Sequence, residues 1–372
     1  MAKRIVLAGG GSAGHIEPAL AVADALRRIE PSFGIEFIGT SSGLESLLVP
    51  QRGYQLRTIP KASLPRRLTL SSLAFPFAIF KSVTSSRRIL KDADAVIGFG
   101  GYVSASAYLG ARLAGVPIVI HEANAKPGWA NRLGRRFAKL VAVNFEEVRE
   151  LWDGSILTGM PIRSAISELA KLSKEERSSF RQLQAKSLGL DPARPIVALF
   201  GGSQGSAQMN QAITDYIKAS SKSAITEIQI IHAVGINNPL PEPAKNYLPM
   251  AYFHDMAAIY GLADLLITRS GAVTCSELMT VAKFAILVPL PHGNGEQIDN
   301  AKALVEQGRA VMVKNDDFTG EWLRENLEQI FADSKKRELE GADLHIRAAV
   351  KIATLVLNEV ISGAKKDREV LR

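Results

Sequence analysis

A single cysteine, Cys275, stands among 372 residues. That excludes an internal disulfide framework and any cysteine-built metal cluster. No apolar run approaches the roughly 18–20 residues needed to cross a bilayer. The opening Met1-Ala2-Lys3-Arg4 runs into an apolar stretch too short for a signal peptide and then into glycines. The six histidines, His15, His121, His232, His254, His292 and His345, never pair at metal-ligand spacing, and H-E-x-x-H is missing. These absences predict a protein of the cytosol, or of the cytosolic face of a membrane, with no bound metal.

What is present is ordinary globular material: 47% hydrophobic and 22% charged residues. The length exceeds what one hydrophobic core usually supports, so two domains are expected. The net charge of +8 favours anionic partners such as phospholipid head groups or phosphorylated substrates, or serves solubility alone. Short apolar runs alternate with helical patterns, the mark of an α/β protein with parallel sheets. Strands are predicted at 4–8, 35–38, 55–59, 95–98, 117–120, 140–143 and 155–158, then at 196–200, 228–233, 265–268, 285–288 and 310–313. The break at Thr158-Gly159-Met160-Pro161 divides the chain into domains at 1–161 and 162–340. A last helix over 341–372 is expected to pack back on the first domain.

Each half opens with a strand, a glycine-rich turn and a helix, which predicts two Rossmann-like domains facing across a cleft. Gly9, Gly11 and Gly14 satisfy G-x-G-x-x-G, a spacing that lets backbone amides approach a phosphate at a helix N-terminus. A dehydrogenase also needs an acidic residue ending the second strand; that strand ends Gly39-Thr40, and Glu36 lies inside it. The second turn, Gly201-Gly202-Ser203-Gln204-Gly205, suits a diphosphate but lacks the Lys-Ser/Thr ending of an ATP-hydrolysing loop.

Glu277, just inside a helix that follows Arg269-Ser270-Gly271, is placed to accept two bonds from ribose hydroxyls or simply to favour the helix dipole. Asp92 and Asp94 precede a strand rather than end one and read as solvated charge. His15 sits one residue beyond the first glycine turn, where an imidazole can take a proton from a hydroxyl nucleophile. Between Lys61 and Lys91, apolar Leu73, Phe75, Phe77 and Phe80 are ringed by cations including Arg66 and Arg67, a pattern suited to an anionic membrane surface. Pro65 and Pro76 prevent one long helix there. Nucleic acid is not expected, because the aromatics are not interleaved with bases in a binding motif.

The ordered set Gly10-Gly11-Ser12-Ala13-Gly14-His15, Gly98-Phe99-Gly100-Gly101-Tyr102, His121-Glu122-Ala123-Asn124, Thr158-Gly159-Met160-Pro161-Ile162-Arg163, Gly201-Gly202-Ser203-Gln204-Gly205-Ser206, Asp255-Met256-Ala257 and Arg269-Ser270-Gly271-Ala272 through Ser276-Glu277 resembles glycosyltransferase family 28. The resemblance is to its members that add N-acetylglucosamine to undecaprenyl-pyrophosphoryl-MurNAc-pentapeptide, the last cytoplasmic step of the peptidoglycan precursor. It implies a GT-B fold, UDP-N-acetylglucosamine as donor, a membrane-facing first domain that takes the acceptor, and catalysis without metal. It also leaves room for other cell-wall assembly proteins as partners. It places the Phe253 backbone at the uracil and Glu277 at the ribose. Ser203, Arg163, Ala272, Val273 and Thr274 fall at the diphosphate or sugar, and Asn124 and Gln297 at the N-acetylglucosamine. Ser12, Ala13 and Gly14 border the donor sugar and the lipid pyrophosphate. His15 is the candidate base and Glu122 the alternative. The chain departs from the family at Glu296, Phe253 and Ala13. Rivals of related fold are transfer to diacylglycerol and UDP-sugar 2-epimerisation; a non-catalytic nucleotide-sugar sensor is a third.

Overall fold

The structure is a computed structural model that describes residues 3–62, 75–220, 227–291 and 294–362. Strands β1 (Arg4–Ala8), β2 (Gly34–Gly39), β3 (Gln55–Thr58), β4 (Ala95–Gly98), β5 (Ile118–Glu122), β6 (Ala138–Val143) and β7 (Ile156–Leu157) form one sheet, in the order β3-β2-β1-β4-β5-β6-β7. Strands β8 (Ile196–Phe200), β9 (Gln229–Ala233), β10 (Tyr247–Met250), β11 (Leu265–Thr268), β12 (Ala285–Leu287) and β13 (Ala310–Met312) form a second, ordered β10-β9-β8-β11-β12-β13. Neighbouring strands run parallel throughout both sheets. In each, the order reverses beside the first strand, at β1/β4 and at β8/β11. Ligands of open parallel sheets bind at the carboxyl ends of the strands beside such a reversal.

The strands are apolar along their whole length because both faces are covered. In β1, alternate side chains go to opposite faces: Ile5 and Leu7 pack with Ile16 and Leu20 of the helix Ala13–Ile29, and Val6 and Ala8 with Val103 and Tyr108 of the helix Gly101–Ala114. In the second sheet Val197 and Leu199 pack on Met209, Ile213, Leu323 and Leu327. The chain divides into two compact units, Met1–Arg163 with Leu344–Arg372, and Ser164–Asp343. The helix Asp343–Leu355 and the π-helical turn Val356–Ser362 give Ala349, Ile352, Ala353, Val356 and Val360 to the core around Ile5 and Leu7.

Three local expectations change. Strand β10 escaped the sequence reading because Pro249 lies within it; it is an edge strand, where a missing N–H costs no ladder bond. The segment from Glu168 to Lys186, which the sequence reads as one charged helical stretch, belongs to two helices, Ser164–Lys171 and Lys174–Ser187, the second started by a Ser173–Glu176 capping box. Asp94 is no loose solvated charge. It accepts from Lys3 Nζ at 2.7 Å and from the Arg4 amide at 2.8 Å, tying down the start of β1.

Two buried histidines bracket Gly159 and Met160. His121 Nε2 donates to the Gly159 carbonyl at 3.0 Å, and His345 Nδ1 accepts from the Met160 amide at 3.1 Å. Burial pushes both down to about 4 from the ordinary 6.5, so both are neutral in the folded chain. The unfolded chain takes up these protons near pH 6.5. Their stabilisation is therefore complete above that pH and is lost as pH falls toward about 4. Each histidine then contributes a slope of about 1.4 kcal/mol per pH unit. Replacing His345 with Gln, which keeps an acceptor for Met160, is expected to flatten the loss between pH 6.5 and 5 in denaturant titrations.

Candidate active site

After β1 the chain turns through Gly9, Gly10 and Gly11, and Gly11 takes a left-handed φ of 87° that a side chain would strain. The helix Ala13–Ile29 starts at Ser12 and carries His15 in its first turn. The amide of Gly11, which the glycine spacing assigned to a phosphate, donates instead to Glu45 Oε2 at 3.0 Å. Glu45 Oε1 accepts from the Thr40 amide at 2.9 Å and the Thr40 hydroxyl at 2.7 Å, and the residue has no exposed surface. Glycines wall it in: a Cβ on Gly10, Gly39 or Gly43 would lie 2.7, 2.5 or 2.1 Å from its side chain. Burial pushes its carboxyl up, but the Gly11 amide and the Thr40 hydroxyl outweigh this and hold it below the usual range. Sequence reasoning missed Glu45; its one trace there is an acid set among glycines at 39 and 43.

The His15 ring lies on the Gly100–Gly101 turn, where a Cβ on Gly100 would come within 3.1 Å of Cε1 and one on Gly101 within 3.3 Å of Cδ2. Both glycines have left-handed φ, 96° and 78°. Ser12, His15, Tyr102 and Trp129, over the backbone of Gly10, Gly11 and Gly101, enclose a cavity of about 310 Å³ at the β1/β4 reversal. Ala13 and Gly14 follow Ser12 as the first helical residues.

Glu122 ends β5 fully buried, and its oxygens serve its own loop. Oε1 accepts from the Asn124 amide at 3.0 Å and Asn124 Nδ2 at 3.3 Å; Oε2 accepts from the Gly128 amide at 3.0 Å and Asn131 Nδ2 at 2.9 Å. Asn131 also accepts from the Tyr108 hydroxyl at 2.7 Å. Burial pushes the Glu122 carboxyl up despite these donors. A carboxylate so enclosed organises a loop, which sets it apart from His15 as a proton acceptor. Asn124 is bound into the same loop.

In the second unit Gly202 and Gly205 take left-handed φ, and a side chain on Gly205 would meet the Val234 carbonyl at 1.9 Å. The half-buried Ser203 accepts from the Ile236 amide at 3.2 Å through its carbonyl. Arg269 links this turn to two others. Its Nη2 donates to Ser206 Oγ at 2.6 Å and Asn315 Oδ1 at 2.8 Å, and its Nη1 to the carbonyls of Val288 and Pro289, each at 3.0 Å. That role was not foreseen, since its partners are scattered from 206 to 315.

Ala272, Val273 and Thr274 form the first turn of the helix Ala272–Thr280, and Glu277 lies in its second. Glu277 is almost fully buried, and the Tyr260 hydroxyl donates to its Oε2 at 3.0 Å. Asp255 caps the helix that carries Tyr260 by accepting from the Ala258 amide at 3.0 Å. Phe253 is buried with its ring edge-on to Phe200, so its bulk is absorbed by the core. Gln297 accepts from the Leu290 amide at 3.0 Å, and Glu296 exchanges bonds with Asn294. Arg163, the last residue of the first unit, stands 4.0 Å from Glu17.

Of the basic-apolar segment, Arg66, Arg67 and Leu73 lie outside the described residues. The helix Phe75–Leu90 begins where Pro76 allows, in its first turn. Phe77 and Phe80 stand 61% and 64% exposed, Phe75 is half-buried, and Lys81 lies 4.5 Å over the Phe77 ring.

Two family descriptions match the chain: the glycosyltransferase family 28 N-terminal domain over residues 5–143 and the family 28 C-terminal domain over 196–355. A relative from Streptomyces coelicolor is 43% identical over 88% of this chain and 89% of its own length. The chain belongs to glycosyltransferase family 28. That relative is named UDP-N-acetylglucosamine–N-acetylmuramyl-(pentapeptide) pyrophosphoryl-undecaprenol N-acetylglucosamine transferase. A relative of the same name from Frankia casuarinae is 40% identical over 96% of both chains. The crystal structure of MurG from Acinetobacter baumannii superposes with a TM-score of 0.65 at 25% identity, covering 96% of this chain and 99% of that one. The UDP-GlcNAc 2-epimerase of Neisseria meningitidis, with a TM-score of 0.62 over 96% of this chain and all of that one, is only 13% identical and shares the fold alone. The family 28 chain is thus a glycosyltransferase of the GT-B class, built from two Rossmann-like domains.

Glu45→Gln keeps the shape of the buried side chain but turns an amide N–H toward the Gly11 N–H or the Thr40 donors. It is expected to lower thermal stability by about 1–3 kcal/mol, the cost of an unmet buried donor. Turnover is expected to fall with it, and Gly43→Ala, which displaces the same carboxylate from outside the cavity, to reproduce both losses in melting and rate assays.

Proposed function

We propose that the chain transfers N-acetylglucosamine from UDP-N-acetylglucosamine to the 4-hydroxyl of the muramyl sugar in undecaprenyl-pyrophosphoryl-MurNAc-pentapeptide, at the cytoplasmic face of the membrane. The observation that carries this reading is the 43% identity, across both domains, with a transferase of that name. The second unit holds the donor: the Phe253 backbone at the uracil, Glu277 at the ribose, and Ser203 with the helix-opening amides of Ala272, Val273 and Thr274 at the diphosphate. Gln297 and Asn124 address the N-acetylglucosamine, and the first unit holds the acceptor.

The reaction is a single displacement with inversion. The muramyl O4 forms a bond to the anomeric carbon as the bond from that carbon to the β-phosphate oxygen breaks. The hydroxyl proton passes to His15, and UDP leaves with the negative charge. Arg163 and helix N-terminal dipoles offset that charge in place of a metal ion.

The membrane contact uses the exposed Phe77 and Phe80. It also uses a basic hollow of about 720 Å³ lined by Arg132, Arg135, Arg136, Lys139 and Trp152. Arg135 lies 5.3 Å over the Trp152 ring, and Arg132, Arg135 and Arg136 form no ion pair among the described residues. Such cations are worth about 1 kcal/mol each near an anionic leaflet.

Labelled UDP-N-acetylglucosamine incubated with the lipid-linked acceptor is expected to carry label into the lipid phase. Isomerised sugar from donor alone would instead mark an epimerase. Arg163→Ala should lower kcat about 100-fold, as loss of a transition-state donor does, while changing the donor KM little; unchanged turnover would remove the role. Phe77→Ser with Phe80→Ser is expected to weaken sedimentation with anionic vesicles, and added salt to weaken it further.

A further inference from the structure

Folding supplies no reason for Trp129 to face solvent. It opens the helix Trp129–Arg135 and is 48% exposed. Its mount is fixed, because the buried Glu122 carboxylate holds the Gly128 amide on one side at 3.0 Å and the Asn131 amide group on the other at 2.9 Å. A large apolar ring on a rigid backbone loses little freedom on binding, which marks a recognition residue.

The ring lines the same cavity of about 310 Å³ as Ser12, His15 and Tyr102. Among the described residues no carboxylate, lysine or arginine lines that cavity, and the Gly11 amide beside it is already given to Glu45. A diphosphate would meet no cation there. A neutral ring with hydroxyl groups would meet two aromatic side chains, a serine hydroxyl and an imidazole. The hollow is open to solvent, and its volume, at the small end of the roughly 300–1,000 Å³ of ligand pockets, suits one sugar ring. The apolar C–H face of a pyranose is attracted to the electron-rich face of an indole.

We propose that Trp129 is the stacking platform for the acceptor's pyranose ring, holding that sugar with its nucleophilic hydroxyl toward His15. The inference rests on the acceptor reading given under the proposed function and adds the residue that recognises the sugar. Phosphates of the acceptor then lie outside this cavity.

The test uses the full chain and compares wild type with Trp129→Phe, which leaves Trp152 and Trp322 as the remaining indoles. Lipid-linked acceptor in detergent micelles, without donor, is expected to quench wild-type fluorescence beyond what empty micelles do through Trp152, and Trp129→Phe is expected to lose that excess. Trp129→Ala is expected to raise the acceptor KM about tenfold, the effect of about 1.4 kcal/mol, with the donor KM within about twofold. Trp129→Phe should recover most of that loss. Taking only the quench that Trp129→Phe loses, a response to UDP-N-acetylglucosamine alone would give the indole to the donor, and an equal response to empty anionic vesicles would make it a membrane anchor; either overturns the proposal. So does an unchanged acceptor KM in Trp129→Ala. If the wild-type chain transfers no label to lipid, the reaction itself falls; if it does and Trp129 is silent, only the stacking role falls.

Discussion

The bond from the Gly11 amide to the Glu45 carboxylate decides what the first glycine turn can do. In nucleotide-binding folds such amides are left open for a phosphate. Here an internal anion already occupies one, sealed by glycines at 10, 39 and 43 that leave no room for side chains. The turn is thereby fixed without a ligand. A charge so placed also discourages a second anion close by, and among the described residues no lysine, arginine or carboxylate lines the neighbouring cavity. One buried carboxylate thus takes up, from within the chain, an amide that a phosphate-type loop would leave open.

The same economy recurs. Glu122 gathers the 122–131 loop, and Arg269 gathers the ends of β8, β12 and β13. Each is a charged group taken out of water and surrounded by several fixed partners, the condition under which burial is tolerated. In each unit the loops beside the sheet reversal are thereby held by the chain's own groups. Burial pushes the Arg269 guanidinium down without discharging it, so the hub keeps its full set of donors.

Much of this was legible in the chain. The continuous apolar runs marked twelve of the strands, and two strand–glycine–helix openings marked the two sheets. Strand β10 was hidden by Pro249, a breaker everywhere except at an edge. Spacing located the glycine turns but could not show who takes their amides, because Glu45 stands 34 residues from Gly11 and Arg269 reaches partners on three separate loops. Glu277 was found as a residue, but not the Tyr260 hydroxyl it accepts from, since that tyrosine comes from another helix. Local pattern reports periodicity and turns; the pairing of buried charges is settled only when distant loops meet.

The way the last helix joins the first unit has a further effect. Ile352, Ala353 and Val356 complete the core beneath β1, so the whole second unit is an insertion within the first. A ribosome delivering this chain releases the second unit with its sheet complete. The earlier-made lobe must wait, the core around Ile5 and Leu7 covered only in part by the helix Ala13–Ile29, until residues past 344 emerge. Shortening the chain from that end would therefore injure the half that was synthesised first.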